Sequence, residues 1–198
     1  MGVRRAVEMA RRESYKQGRQ VYTLGPLIHN PSVLEDLKKR GIRLLEEGEI
    51  PPDPENSTVI IRAHGVSPKQ EAALARHGVR ILDATCPNVK QSQIKASFFA
   101  EKGYRIFLAG EENHGEISGI LGYIGLHTGA PCYVLANPDD AERAASELLR
   151  NEPEAKTVLL AQTTISASEY MAIGERLRQF FPGIEILDTI CVATARRQ

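Results

Sequence analysis

The sequence predicts an α/β protein made of two similar lobes, each a small, mostly parallel sheet with flanking helices. Three observations carry this expectation. Short apolar runs rich in β-branched residues alternate with helical patterns. That order is the signature of strands joined by helical crossovers. The runs are near-continuous rather than alternating, as expected for strands covered on both faces. The chain also repeats itself. "YTLGPLIH" (22–29) matches "FLAGEENH" (107–114), "VIIRAHGVS" (59–67) resembles "VLLAQTTIS" (158–166), and "ILDATC" (81–86) matches "ILDTIC" (186–191). One unit thus carries a Gly-x-x-x-His loop, a central strand with a polar tip, and a terminal Ile-Leu-Asp-x-x-Cys.

In chain order, the helix "GVRRAVEMARRESYKQG" opens at once and leads to the strand "QVYTLG" (20–25). The helix "PSVLEDLKKRG" has Pro31 near its first turn and Gly41 just past its end. After "TVIIRAHG" (58–65), Ser67 is placed to cap the next helix, with Pro68 at its first position. "RILDATC" (80–86) then enters the helix "NVKQSQIKASFFAEKG". The second copy continues as "YRIFLAG" (104–110), a helix over 115–128, and "CYVLAN" (132–137). It closes with the helix "NPDDAERAASELLR", the strand "TVLLAQT" (157–163), the helix "SASEYMAIGERLRQFFPG" and the strand "IEILDTIC" (184–191). The expected domains are 1–87, a first α/β domain without its first strand, and 88–191, a second one. Residues 192–198 read as the start of a third domain.

Composition excludes several functions. The chain has 198 residues, 42% hydrophobic and 25% charged, and 25 Lys plus Arg balance 25 Asp plus Glu. Zero net charge points away from nucleic acid and from an anionic membrane surface. No apolar run approaches the roughly 18 residues of a membrane span. Arg4 and Arg5 are followed by an amphipathic pattern, not by the apolar core of a signal peptide. Three cysteines do not make a disulfide framework. A reducing, cytoplasmic setting is expected.

In open parallel sheets ligands gather at the carboxyl ends of the strands, and the unusual residues stand there. Cys86 and Cys191 end equivalent strands, each three residues after an Asp. Thiolates so placed suit zinc or an iron–sulfur cluster, although two are too few for either without further ligands. Cys132 starts a strand and reads as core packing. His29, His64 and His114 follow strands and point to anion binding. His77 and His127 read as structural residues at helix ends. Glu116, two residues after His114, is either a proton donor or a first-turn Glu that favours the helix dipole. Gln162, Thr163 and Thr164 either bond a ligand or cap the next helix. No phosphate loop of the Walker or dinucleotide type is present.

The stretches "HNPSVLEDLKKRG", "RAHGVS", "DATCP", "HGEISG", "AQTTIS" and "DTICVAT" together resemble the 4-hydroxy-3-methylbut-2-enyl diphosphate reductase family along essentially the whole chain. The resemblance implies an iron–sulfur oxidoreductase of the methylerythritol phosphate route to isoprenoid precursors. Its fold has three quasi-symmetric α/β domains, of which this chain carries two. It implies a [4Fe–4S] cluster held by one cysteine per domain, here Cys86 and Cys191. His29 and His64 would bind the substrate diphosphate, His114 and Thr163 would contact substrate, and Glu116 would deliver protons. The partners implied are the allylic diphosphate substrate and reduced ferredoxin or flavodoxin as electron donor.

Three departures stand out. The family begins with Gly-Phe-Cys-x-Gly-Val, where this chain has only Met1-Gly2-Val3. The third domain's diphosphate-binding motif is absent. Gly115 stands where the family often has Pro, which is expected to loosen the loop of Glu116. The first two lead to the expectation of a fragment that does not turn over by itself. The alternative is a non-enzymatic two-lobed α/β module that binds an anion or a metal.

Overall fold

The computed structural model describes residues 2–16, 18–28, 30–127 and 131–191. The chain divides into two compact units, Met1–Pro87 and Asn88–Gln198.

The first unit runs α1 (Gly2–Ser14), β1 (Gln20–Leu24), α2 (Pro31–Lys39), β2 (Arg43–Leu45), β3 (Ser57–Ile61), α3 (Pro68–Arg76) and β4 (Arg80–Asp83). Its four strands lie in the order β2-β1-β3-β4, all parallel. The second unit runs α4 (Pro87–Glu101), β5 (Arg105–Ala109), α5 (Gly115–Ile124), β6 (Cys132–Leu135), α6 (Pro138–Asn151), β7 (Thr157–Ala161), α7 (Ala167–Phe180) and β8 (Glu185–Ile186). Its order is β6-β5-β7-β8, again all parallel. The two sheets therefore share one topology, as the repeat predicts.

Both faces of each central strand are buried, which explains the continuous apolar runs. On β5, Ile106 and Leu108 enter the core shared with Ile117 and Ile120 of α5. Phe107 and Ala109 point the other way, into the core shared with Ala145 of α6 and Ile173 of α7. In the first unit, Ile60 packs with Ala6 and Ala10 of α1, while Val59 and Ile61 pack with Leu74 of α3. Each large apolar side chain so buried contributes roughly 1.5–3 kcal/mol.

The helices start where capping chemistry places them. Asn30, Ser67, Asn137 and Ser166 each accept a backbone N–H of the following first turn. Ser166 and Glu169 form a reciprocal capping box. His77 is the C-cap of α3, as its expected structural role requires, with Nδ1 2.8 Å from the Ala73 carbonyl. His127 lies past α5 rather than within it, because that helix ends at the cap Gly125; its ring nitrogen meets the Ser97 hydroxyl at 2.9 Å.

Three expectations about strands need correction. β2 was not expected; it is a three-residue edge strand whose first two residues are exposed, so it leaves no apolar run to read. The terminal strands are also shorter than 80–86 and 184–191. After β4, the Asp83 carboxylate accepts the Thr85 N–H at 2.8 Å, a local turn that ends the ladder. Beyond β8, the Thr189 hydroxyl accepts the Ala161 N–H at 2.8 Å and donates to the Ala161 carbonyl at 3.2 Å. A side chain thus occupies the position of a neighbouring strand. Third, the repeat matches 59–67 to 158–166, which pairs His64 with Thr163. The ladders pair Leu24 with Ile61 and Ala109 with Ala161, so Ala63 corresponds to Thr163 and His64 to Thr164. The second unit is one residue shorter between this strand tip and the capping serine.

Candidate functional site

Each sheet ends one of its central strands, β1 or β5, with the same local device. The Gly25 N–H donates to the Leu45 carbonyl at 2.9 Å, and the Gly110 N–H to the Leu135 carbonyl at 2.9 Å. The thiol residues are held alike: the Cys86 N–H donates to the Ala63 carbonyl, and the Cys191 N–H to the Thr163 carbonyl, both at 2.9 Å. Each cysteine therefore stands beside the tip of its unit's central strand, at the carboxyl edge.

In the second unit the tip holds a buried acid. Glu116, in the first turn of α5, is fully buried. Its Oε1 accepts the Thr163 N–H and its Oε2 the Thr163 hydroxyl, both at 2.8 Å. Burial pushes the carboxyl above its ordinary value, and the two Thr163 bonds offset that only in part. Gly115 opens the helix, and both oxygens of the carboxylate that follows it are bonded. His114 caps α5: its Nδ1 accepts the Glu116 N–H at 3.2 Å. A ring nitrogen that accepts carries no proton, so the neutral ring holds its proton on Nε2. Thr163 joins the parts, bonding Glu116 through its N–H and hydroxyl and Cys191 through its carbonyl.

Gln162 is buried and serves the loop after β5: its Oε1 accepts the Glu111 N–H at 3.0 Å and its Nε2 donates to the Thr164 hydroxyl at 2.6 Å. In the first unit, His64 lies in a turn closed by the Gly65 N–H and the Arg62 carbonyl at 3.0 Å. His29 lies outside the described residues.

The donor chemistry suits a thiophilic group in kind. Cys86 and Cys191 are partly exposed, and the Asn88 amide donates to Cys191 Sγ at 3.1 Å. A cavity of about 260 Å³ lined by Asn88, Ser92, Lys95, Asp188 and Cys191 opens beside that sulfur. Cys132 is different: it starts β6, and burial pushes its thiol up to about 12. Among the described residues no group of three or more His, Cys, Asp or Glu is arranged to hold a metal ion. Cys86 in the first unit and Cys191 in the second each offer a single thiol, where a cubane takes roughly three or four thiolates.

A family model for the LytB protein matches residues 1–198. The chain belongs to the LytB protein family. A 4-hydroxy-3-methylbut-2-enyl diphosphate reductase of Treponema pallidum is 42% identical to this LytB family member over 230 residues, covering 100% of the chain and 59% of the relative. The same-named protein of Treponema denticola is 38% identical over 204 residues, covering 100% of the chain and 68% of the relative. A solved structure of (E)-4-hydroxy-3-methyl-but-2-enyl diphosphate reductase, the terminal enzyme of the non-mevalonate pathway, matches with a TM-score of 0.85 at 34% identity; it covers 100% of this chain and 66% of that one. The chain thus spans between 59% and 68% of the length of these proteins.

Two features of the LytB fold here escape the sequence. Asn88 is not flagged by any motif, since its partner Cys191 is 103 residues away. Gly2 lies so close to Cys86 that a Cβ on it would come within 2.8 Å of the cysteine Cβ and 3.2 Å of Sγ. The only sequence signal was the Gly-Val pair at residues 2–3.

Proposed function

We propose that this chain is part of a reductase that removes the hydroxyl of 4-hydroxy-3-methylbut-2-enyl diphosphate, giving isopentenyl and dimethylallyl diphosphate. The observation that carries the reading is the buried Glu116 clamped by Thr163 at the carboxyl edge of the second sheet, in a chain matched throughout by the LytB family. Cys86 and Cys191 are cluster ligands. A bound [4Fe–4S] cluster would supply the electrons, which reach it from reduced ferredoxin or flavodoxin in the cytoplasm.

The net reaction takes two electrons and two protons, replaces the C–O bond by C–H, and releases water. The protein's share is proton delivery and binding. Burial raises the proton affinity of this carboxyl, the direction that a general acid requires. Thr163 fits beside it as a relay, because a hydroxyl donates to the carboxylate and accepts from the acid. His114, with Nδ1 engaged in the helix cap, presents an Nε2 proton to the substrate. His29 and His64 bind the diphosphate.

Exchanging the matching segment of the Treponema denticola relative for residues 1–198 tests this. The chimera is expected to form both products from the allylic diphosphate with a chemical reductant. Glu116→Gln in the chimera is expected to keep substrate binding and lose most turnover. A folded chimera without activity, or Glu116→Gln at the full rate, would refute the proposed roles.

A further inference from the structure

The first unit holds a cation at its strand edge whose inner donor is unpaired among the described residues. Arg62 directly follows β3. Its side chain lies against Gly25, where a Cβ would come within 2.6 Å of Nη1 and 3.3 Å of Cζ. Gly25 has φ +71, so glycine both permits the turn and lets the guanidinium lie on the backbone. The Arg62 Nε–H is buried and, among the described residues, has no hydrogen-bond partner. Buried donors are normally paired.

The second unit shows the same position in a structural role. Gln162 follows β7 as Arg62 follows β3, and a Cβ on Gly110 would come within 2.7 Å of its Oε1. Yet Gln162 is internally satisfied, through the Glu111 N–H and the Thr164 hydroxyl. The counterpart of Glu111 in the first unit is Pro26, which has no N–H to donate, and that of Thr164 is His64. An arginine in turn can only donate. The pair that ties the loop in the second unit is thus replaced, on both sides, in the first. What remains is a donor-only cation at the edge where ligands gather.

We infer that Arg62 is an oxyanion-binding residue, its guanidinium bonding a phosphate group held at the carboxyl edge of the first sheet, two residues before His64. This rests on the reductase reading, which makes that phosphate part of the substrate's diphosphate. A guanidinium matches phosphate geometry and forms charge-assisted bonds to it. The anion would also supply the acceptor that Nε lacks.

Calorimetric titration of inorganic pyrophosphate into the 198-residue chain tests the inference with four proteins: wild type, Arg62→Gln, Arg62→Lys and His64→Ala. Arg62→Gln installs the residue that the second unit already carries at this position, and thermal melting checks that each variant is folded. Arg62→Gln is expected to weaken pyrophosphate by about tenfold or more, since bonds to charged groups are the strong ones, and Arg62→Lys by less. Wild-type affinity in Arg62→Gln alongside weakened His64→Ala removes Arg62 from the site and leaves the reductase reading standing. Weakened Arg62→Gln beside unchanged His64→Ala upholds Arg62 and overturns the role of His64. No binding by any of the four overturns both.

Discussion

Glu116 is an acid that the fold keeps dry, and its burial has a sign that can be measured. Its folded proton affinity is raised above the unfolded value. The folded state therefore binds the proton more tightly, and this contribution to stability is complete below the unfolded carboxyl value of about 4.3. It is lost as pH rises through the higher folded value. Glutamine does not titrate, and its amide can accept from the Thr163 N–H while donating to the hydroxyl. Glu116→Gln is thus expected to gain melting temperature relative to wild type from about pH 4 upward, until Glu116 is ionised in both states. A difference that stays flat over that range would show that the carboxyl is not perturbed. Little of this was legible beforehand. The sequence marked Glu116 and Thr163 separately, and left Glu116 even between acid and helix-dipole residue. Their bonds join residues 47 apart, and nothing local records that the first turn of α5 meets the tip of β7.

Among the elements, the central strands were readable and the strand ends were not. β3 and β7 are buried along their whole length, and a strand covered on both faces writes itself as an apolar run. Where β8 stops depends instead on one hydroxyl. Thr189 takes both polar groups of Ala161, so "IEILDTIC" reads as a full strand although the ladder ends at Ile186. Thr189→Val keeps the shape and removes both bonds. It leaves a buried N–H and carbonyl unpaired, at a cost of about 1–3 kcal/mol, visible as a lower midpoint in urea. Thr189→Ser is expected to recover most of the loss. Equal midpoints for Val and Thr would mean that the backbone of Ala161 finds other partners. The same hydroxyl steers the chain toward Cys191, two residues on, so the substitution also probes how the thiol is placed.

Across the whole molecule, the duplication was visible because each copy solves one problem with the same residues. The sheets share strand order, the post-strand glycines share a backbone bond, and Cys86 and Cys191 share another. The sequence repeat places β3 one residue out of step with β7, because the capping serines and the apolar runs still match when the shorter loop of the second copy is overlooked. The register of the ladders sets Arg62 against Gln162. We propose the strand-end thiols as metal ligands, and not Cys132, whose thiol burial pushes up to about 12 at the opposite end of its sheet. Iron bound per chain after anaerobic treatment with iron and sulfide tests this, comparing wild type with Cys86→Ser, Cys191→Ser and Cys132→Ser. Iron uptake is expected to fall in the first two variants and to match wild type in Cys132→Ser. The same iron content in all four proteins would contradict the account.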